Sequence, residues 1–113
     1  LERVADLRAV GVMPWLDPGF AFGKSAEDNA ALLAGLPALV AEGYPVLISA
    51  SRKGFLSELL GRGDRQDSEG LLEATVAFNA LAASAGVHVA RVHDVAQVAD
   101  ALAVVNAVRA TAR

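Results

Sequence analysis

Hydrophobic positions recur along this chain with two periods that alternate. Leu1, Val4, Leu7 and Val10 stand three apart, a helical spacing, and Gly11 ends that run. "VMPWLD" (12–17) is short and apolar and predicts a strand, with Pro14 near its start. "PGFAFGK" (18–24) is a glycine-rich loop, read as exposed, in which Phe20 and Phe22 flank Ala21 and serve either as local packing or as an aromatic wall for a flat substrate. Ser25 and Asp28 have capping-box spacing, and Leu32, Leu33, Leu36, Leu39 and Val40 follow as one apolar helix face. Pro37 lies inside that helix and predicts a kink or a restart; Gly43 closes it. "PVLISAS" (45–51) predicts a second strand, suited to burial on both faces. "RKGFLSELLG" (52–61) reads as a short helix or turn, and "RGDRQD" (62–67) as a polar loop. Ser68 is a candidate N-cap for a long helix to Ala85, with Leu71, Leu72, Thr75, Val76 and Leu81 near one side and Gly86 at C′. "HVARVHD" (88–94) predicts the third strand. Asp94 and Gln97 then resemble a second capping box, and Val95, Val98, Leu102, Val105 and Val108 mark the final helical face.

The order is therefore αβαβαβα, which implies parallel strands joined by right-handed crossovers. Three parallel strands are few, because both faces and both edges of such a sheet need cover. A (β/α)₈ barrel takes ~250 residues, so 113 residues supply a little under half of one. The expected fold is α/β: the last three β-strands and flanking helices of a (β/α)₈ TIM barrel, incomplete on its own. Residues 1–113 read as the C-terminal part of one such domain. The chain opens on Leu1, already inside a helix, which suggests a piece of a longer protein.

Composition narrows the function classes. With 54% hydrophobic and 20% charged residues the chain is a packed domain rather than a disordered one. A formal net charge of −3 argues against non-specific nucleic-acid binding, which needs a basic surface. The absence of cysteine excludes disulfides and thiolate metal sites, and suits a cytoplasmic protein. No apolar run reaches the ~18 residues of a membrane span, so no membrane partner is expected.

In a barrel, chemistry gathers at the C-terminal ends of the strands. All three such ends are polar here. The first ends in Asp17, before Pro18 and Gly19; the second in Ser49, Ser51 and Lys53; the third in Arg91 and His93. Residues two apart on a strand share a face, which pairs Arg91 with His93 and Ser49 with Ser51. One carboxylate, two permanent cations, one imidazole and hydroxyls suit an anionic or heteroaromatic ligand. Each group also has a plainer reading. Asp17 is then a turn residue, the Ser-Arg-Lys run a helix cap with solvated cations, and Arg91 with His93 an ion-paired edge. Three polar exits in succession favour the functional reading. His88, at the opposite end of its strand, is structural. Lys24, Asn29 and Asn79 receive no role.

"LDPGFAFGK", "SASRKGF" and "ARVHDV" resemble three signature segments of the dihydropteroate synthase family, in the same order and spacing. The resemblance runs from about Leu16 to the last helix. It implies a (β/α)₈ barrel of folate biosynthesis. Such an enzyme joins 6-hydroxymethyl-7,8-dihydropterin pyrophosphate to p-aminobenzoate with Mg²⁺ and releases pyrophosphate. By the same resemblance Asp17 would hold the amino and ring nitrogens of the pterin, and Lys53 its carbonyl side. Arg91 would stack beside the pterin and meet the pyrophosphate, and His93 would contact the pyrophosphate as well. Ser51 would lie near the p-aminobenzoate carboxylate, with Phe22 packed on its ring and Ala21 beside it. The magnesium ligand would fall outside this chain, as would the first five strands. The fragment alone is therefore expected to be inactive; the family further implies sulfonamide binding and a homodimer, and exposed sheet edges and interior faces predict self-association of the fragment. Ala21 stands where the family usually has glycine, and Trp15 shares the inward parity of Asp17. These two residues motivate an alternative, a non-catalytic homologue or pterin-binding module. A pterin-dependent methyltransferase-type barrel is a second, and a purely structural assembly unit a third.

Overall fold

The computed structural model describes residues 2–20, 25–50, 54–61 and 71–111. The elements follow the predicted alternation: α1 (Glu2–Ala9), α2 (Ala26–Ala34), α3 (Leu36–Val40), β1 (Leu47–Ile48), α4 (Gly54–Leu59), α5 (Leu72–Ser84), β2 (Val89–Ala90) and α6 (Val95–Thr111).

β1 is the centre of the sheet. On one side it pairs parallel with β2, Leu47 opposite Val89 and Ile48 opposite Ala90. On the other side a single parallel bridge joins Leu16 to Val46. Leu16 N–H donates to Pro45 O and Leu47 N–H to Leu16 O, both at 2.8 Å. Two of the three predicted strands are thus present, in parallel, but far shorter than their apolar runs. The segment 12–17 contributes only the bridge at Leu16. A ladder lasts only where a neighbour matches it. Pro14 has no N–H to give, and among the described residues the outer edges of the 14–17 segment and of β2 have no further strand beside them.

The sheet has one covered side. Val46, Ile48 and Ala50 alternate along β1 and the residues flanking it, and are fully buried. They pack under Phe20, Leu36, Phe55, Leu56, Leu71, Phe78 and Ala82. Three rings form the centre of this core. Phe78 meets Phe20 edge-on at 4.9 Å between centroids and Phe55 at 5.3 Å. Phe20 therefore departs from its expected place in an exposed loop; only 1% of its surface is accessible. The cause is the turn before it. Gly19 has φ +75° and its N–H donates to Asp17 Oδ1 at 2.8 Å, so the chain reverses and lays Phe20 over the helical side.

The helix boundaries follow from capping chemistry. Ser25 Oγ accepts the Asp28 N–H at 3.1 Å while Asp28 Oδ2 accepts the Ser25 N–H at 3.4 Å, the predicted capping box. The helix ends at Gly35 and restarts as α3 with Pro37 in its first turn, where a missing N–H costs nothing. The expected cap Ser68 lies outside the described residues, and α5 is helical from Leu72. Gly86, at φ +101°, ends α5 in the left-handed region as predicted. Arg109 of α6 donates to Ala83 O at 2.9 Å and ties α6 to that same end. Three apolar faces are narrower than their spacing suggests. Val98, Leu102 and Val105 turn inward on α6, but Val95 and Val108 are exposed. Leu81 is exposed on α5. Among the described residues of α1 only Val4 is buried; Leu7, and Val10 just after the helix, are exposed. Helical periodicity marks which positions share a side, and the partner decides how much of that side is covered.

Candidate functional site

The register puts three strand exits side by side. Because side chains alternate across a strand, Leu16, Val46 and Ile48 face the helices. Asp17, Leu47, Ser49, Val89 and Arg91 fall on the opposite, open side by the same alternation. Burial agrees: Leu47 and Ser49 are half-buried, while Asp17, Val89 and Arg91 are exposed. Trp15 shares the parity of Asp17 and is 58% exposed.

Asp17 leaves the first exit. Its Oδ1 closes the turn onto Gly19 N–H, so the turn reading of this residue holds, and its carboxylate is nonetheless exposed at the mouth. Arg91 leaves the third exit. Its N–H donates to Ile48 O at 2.8 Å, the last rung between β1 and β2, and fixes the backbone from which an exposed guanidinium extends. His93 lies two residues further, also exposed. Asp94 sits before the first residue of α6 and its carbonyl accepts the Val98 N–H at 3.0 Å, the predicted N-cap position. At ~4.8 Å per strand and ~3.3 Å per residue, two strands across and two residues along, the Asp17 and Arg91 backbones stand ~12 Å apart with the exit of β1 between them. Negative charge on one flank and positive on the other suits a ligand with a donor-rich ring at one end and an anion at the other. Ala21, Phe22, Ser51 and Lys53, the other expected site residues, lie outside the described residues. Among the described residues no three His, Cys, Asp or Glu side chains cluster as a divalent cation requires.

Two polar residues are explained by the backbone around them. His88 sits at the far end of β2, as expected of a structural residue. Its Nδ1 accepts the Val46 N–H at 3.0 Å, while Val46 O receives His88 N–H at 2.9 Å and Val89 N–H at 3.2 Å. The imidazole thus completes the ladder one position before β2 begins. Asn79, given no role from the sequence, is 1% exposed on α5. Its Nδ2 donates to Ala50 O at 2.9 Å and to Thr75 O at 2.8 Å, and its Oδ1 is buried without a partner. The signal in the sequence is an asparagine mid-helix among alanine, leucine and phenylalanine, where neither cap nor turn accounts for it. An apolar groove lined by Leu33, Ala34, Pro37, Leu81, Ser84 and Ala85 lies on the helical side and carries none of the candidate groups.

The chain is similar to known proteins in both sequence and fold. A family model described as pterin binding enzyme matches residues 1–93. The dihydropteroate synthase of Mycobacterium leprae (strain TN) is 47% identical over 112 residues, which is 95% of this chain and 39% of that protein. The structure of dihydropteroate synthase from Xanthomonas albilineans in complex with 7,8-dihydropteroate superposes with a TM-score of 0.87 at 44% identity, over 97% of this chain and 42% of that one. The same Xanthomonas albilineans enzyme with 4-aminobenzoic acid gives the same TM-score and identity. The chain thus spans about two fifths of the length of the relatives it matches.

Proposed function

The chain belongs to the pterin-binding enzyme family, its fold is part of a (β/α)₈ TIM barrel, and on that premise we propose that it serves as part of a dihydropteroate synthase. The reaction is the condensation of 6-hydroxymethyl-7,8-dihydropterin pyrophosphate with p-aminobenzoate. The C–O bond from the pterin methylene to pyrophosphate breaks, the aniline nitrogen bonds to that carbon, and the nitrogen loses a proton. Charge separates at the start, positive on the methylene and negative on the leaving group. The observation that carries the proposal is the pair of exits flanking β1, with Asp17 on one side and Arg91 and His93 on the other.

In this reading Asp17 accepts hydrogen bonds from the amino and ring nitrogens of the pterin. Arg91 lies along the pterin and, with His93, receives the pyrophosphate as its charge grows. Lys53 binds the carbonyl side of the pterin. Ser51, Phe22 and Ala21 border the p-aminobenzoate. No covalent intermediate on the protein is needed. Mg²⁺ belongs to the same proposal as a neutraliser of pyrophosphate charge. Its protein ligand is expected outside this chain, and among the described residues no three His, Cys, Asp or Glu side chains cluster. Cytoplasmic action and pairing with a second copy are part of the proposal too. Exposed Leu59, Leu60 and Leu81 on the helical side support the pairing. Among the described residues no helix is long and apolar enough to cross a membrane.

The test is an assay of the full-length protein with both substrates. The expected outcome is 7,8-dihydropteroate and pyrophosphate, with pyrophosphate affinity reduced by Arg91→Ala. Pterin binding without turnover would make the protein a non-catalytic homologue. Pyrophosphate binding indifferent to Arg91 would favour the methyltransferase-type reading.

A further inference from the structure

We propose that Asn79 is a positioning residue that fixes the exit of the central strand and so sets the backbone from which Ser51 and Lys53 depart. The sheet ladder ends at Ile48, whose carbonyl takes the Arg91 N–H. Two residues on, β2 has ended, and no backbone N–H among the described residues reaches the Ala50 carbonyl. That carbonyl is met instead by Asn79 Nδ2 at 2.9 Å, from the middle of α5. The same nitrogen donates to Thr75 O, four residues back on the helix, which holds the amide in one orientation. One rigid helix thus grips the chain two residues past the end of β1. Ala50 is fully buried, and Ser51 and Lys53 follow it by one and three residues.

Packing alone does not account for this asparagine. The site is buried among apolar neighbours of α5, asparagine is a poor residue for a helix interior, and Oδ1 is left without a partner. An apolar residue would avoid both penalties. What it cannot supply is a donor aimed at Ala50 O. The orphaned oxygen is the consequence of using a side chain with two ends where only one end is required. The consequence for ligands rests on the proposed function, since that is what gives Ser51 and Lys53 their tasks; the consequence for the strand exit does not.

Two variants of the full-length protein test it, Asn79→Ala and Asn79→Leu, both lacking the donor but differing in how they fill the space. Hydrogen exchange of the peptide covering residues 49–53 should accelerate at least tenfold in both, while exchange across the rest of α5 stays as in the wild type. The KM for p-aminobenzoate should rise about tenfold with a smaller change in kcat. Exchange of residues 49–53 within twofold of wild type in both variants would overturn the proposal. So would acceleration spread evenly over α5, which marks mere loss of packing. If the wild-type protein proves not to bind p-aminobenzoate, the functional reading fails, and the exchange measurement still decides the role of Asn79.

Discussion

Asp17 shows how one side chain serves the fold and remains available to a ligand. Its Oδ1 accepts the Gly19 N–H, which shapes the turn that sends Phe20 into the core, and its carboxylate is exposed at the strand exit. The two tasks are separable chemically. Asp17→Asn keeps a carbonyl oxygen for the turn but replaces a charged acceptor by an NH₂ donor. Thermal stability of the full-length protein should therefore stay within ~0.5 kcal/mol of wild type, as for other surface changes. Pterin affinity by calorimetry should fall by ~1.5–3 kcal/mol, the range for a hydrogen bond to a charged group. A large loss of stability with unchanged affinity would return Asp17 to the turn alone. His88 is the opposite case. Its ring replaces a missing strand partner for Val46, far from the exits, so it has a full structural account and needs no ligand.

At the scale of elements, the helices hold the sheet on one side through the Phe20, Phe55 and Phe78 cluster and through the joint where α5 ends. That joint is tight. Gly86 is at φ +101°, and a Cβ there would stand 3.0 Å from Val40 Cγ1. Gly11 also has a positive φ, +85°, but a Cβ there would have nothing within 4 Å. The two sites separate backbone strain from crowding. Gly11→Ala should cost ~1–2 kcal/mol, the price of a left-handed L-residue. Gly86→Ala should cost more, because strain and overpacking add. Urea denaturation reads both, as a shift of midpoint at constant slope. Equal losses would mean that α3 and α5 yield at that contact. The element scale also explains the misjudged faces. The spacing of Val95, Val98, Leu102, Val105 and Val108 is helical, yet α6 leans chiefly on α5, and only its middle is covered.

The whole molecule is a wall rather than a closed barrel. Its radius of gyration is 14.9 Å, against ~13 Å for a compact domain of this length, and it measures 45 × 36 × 22 Å. Trp15 and Val89 belong by alternation to its open side, with Met13 and Val12 exposed just ahead of them. The 113 residues expressed alone should give no 7,8-dihydropteroate, since two fifths of a barrel lacks most of the strand ends that surround a ligand. They should also self-associate, because an uncovered sheet side and two strand edges invite pairing. Light scattering that reports a monomer, or an active fragment, would refute these expectations.

Much of this was legible along the chain. Alternating periods gave the order of helices and strands, because burial of one face imposes its own spacing on each element. Glycines and capping residues located most helix ends, because those are local backbone requirements. The three polar exits stood out because chemistry at strand ends interrupts an apolar run. Other features depended on neighbours that no local pattern names. Strand length was set by where the 14–17 segment, β1 and β2 stand level. The fate of Phe20 was set by a turn that carries it across to two other rings. Asn79 was unreadable because its partner, Ala50 O, lies 29 residues away, and a hydrogen bond at that range depends on how α5 crosses β1. The sequence by itself determined which residues can form each element and which carry charge to the mouth, since both depend on spacing and side-chain chemistry. Only the tertiary structure decided which of them meet, since that depends on how the elements pack.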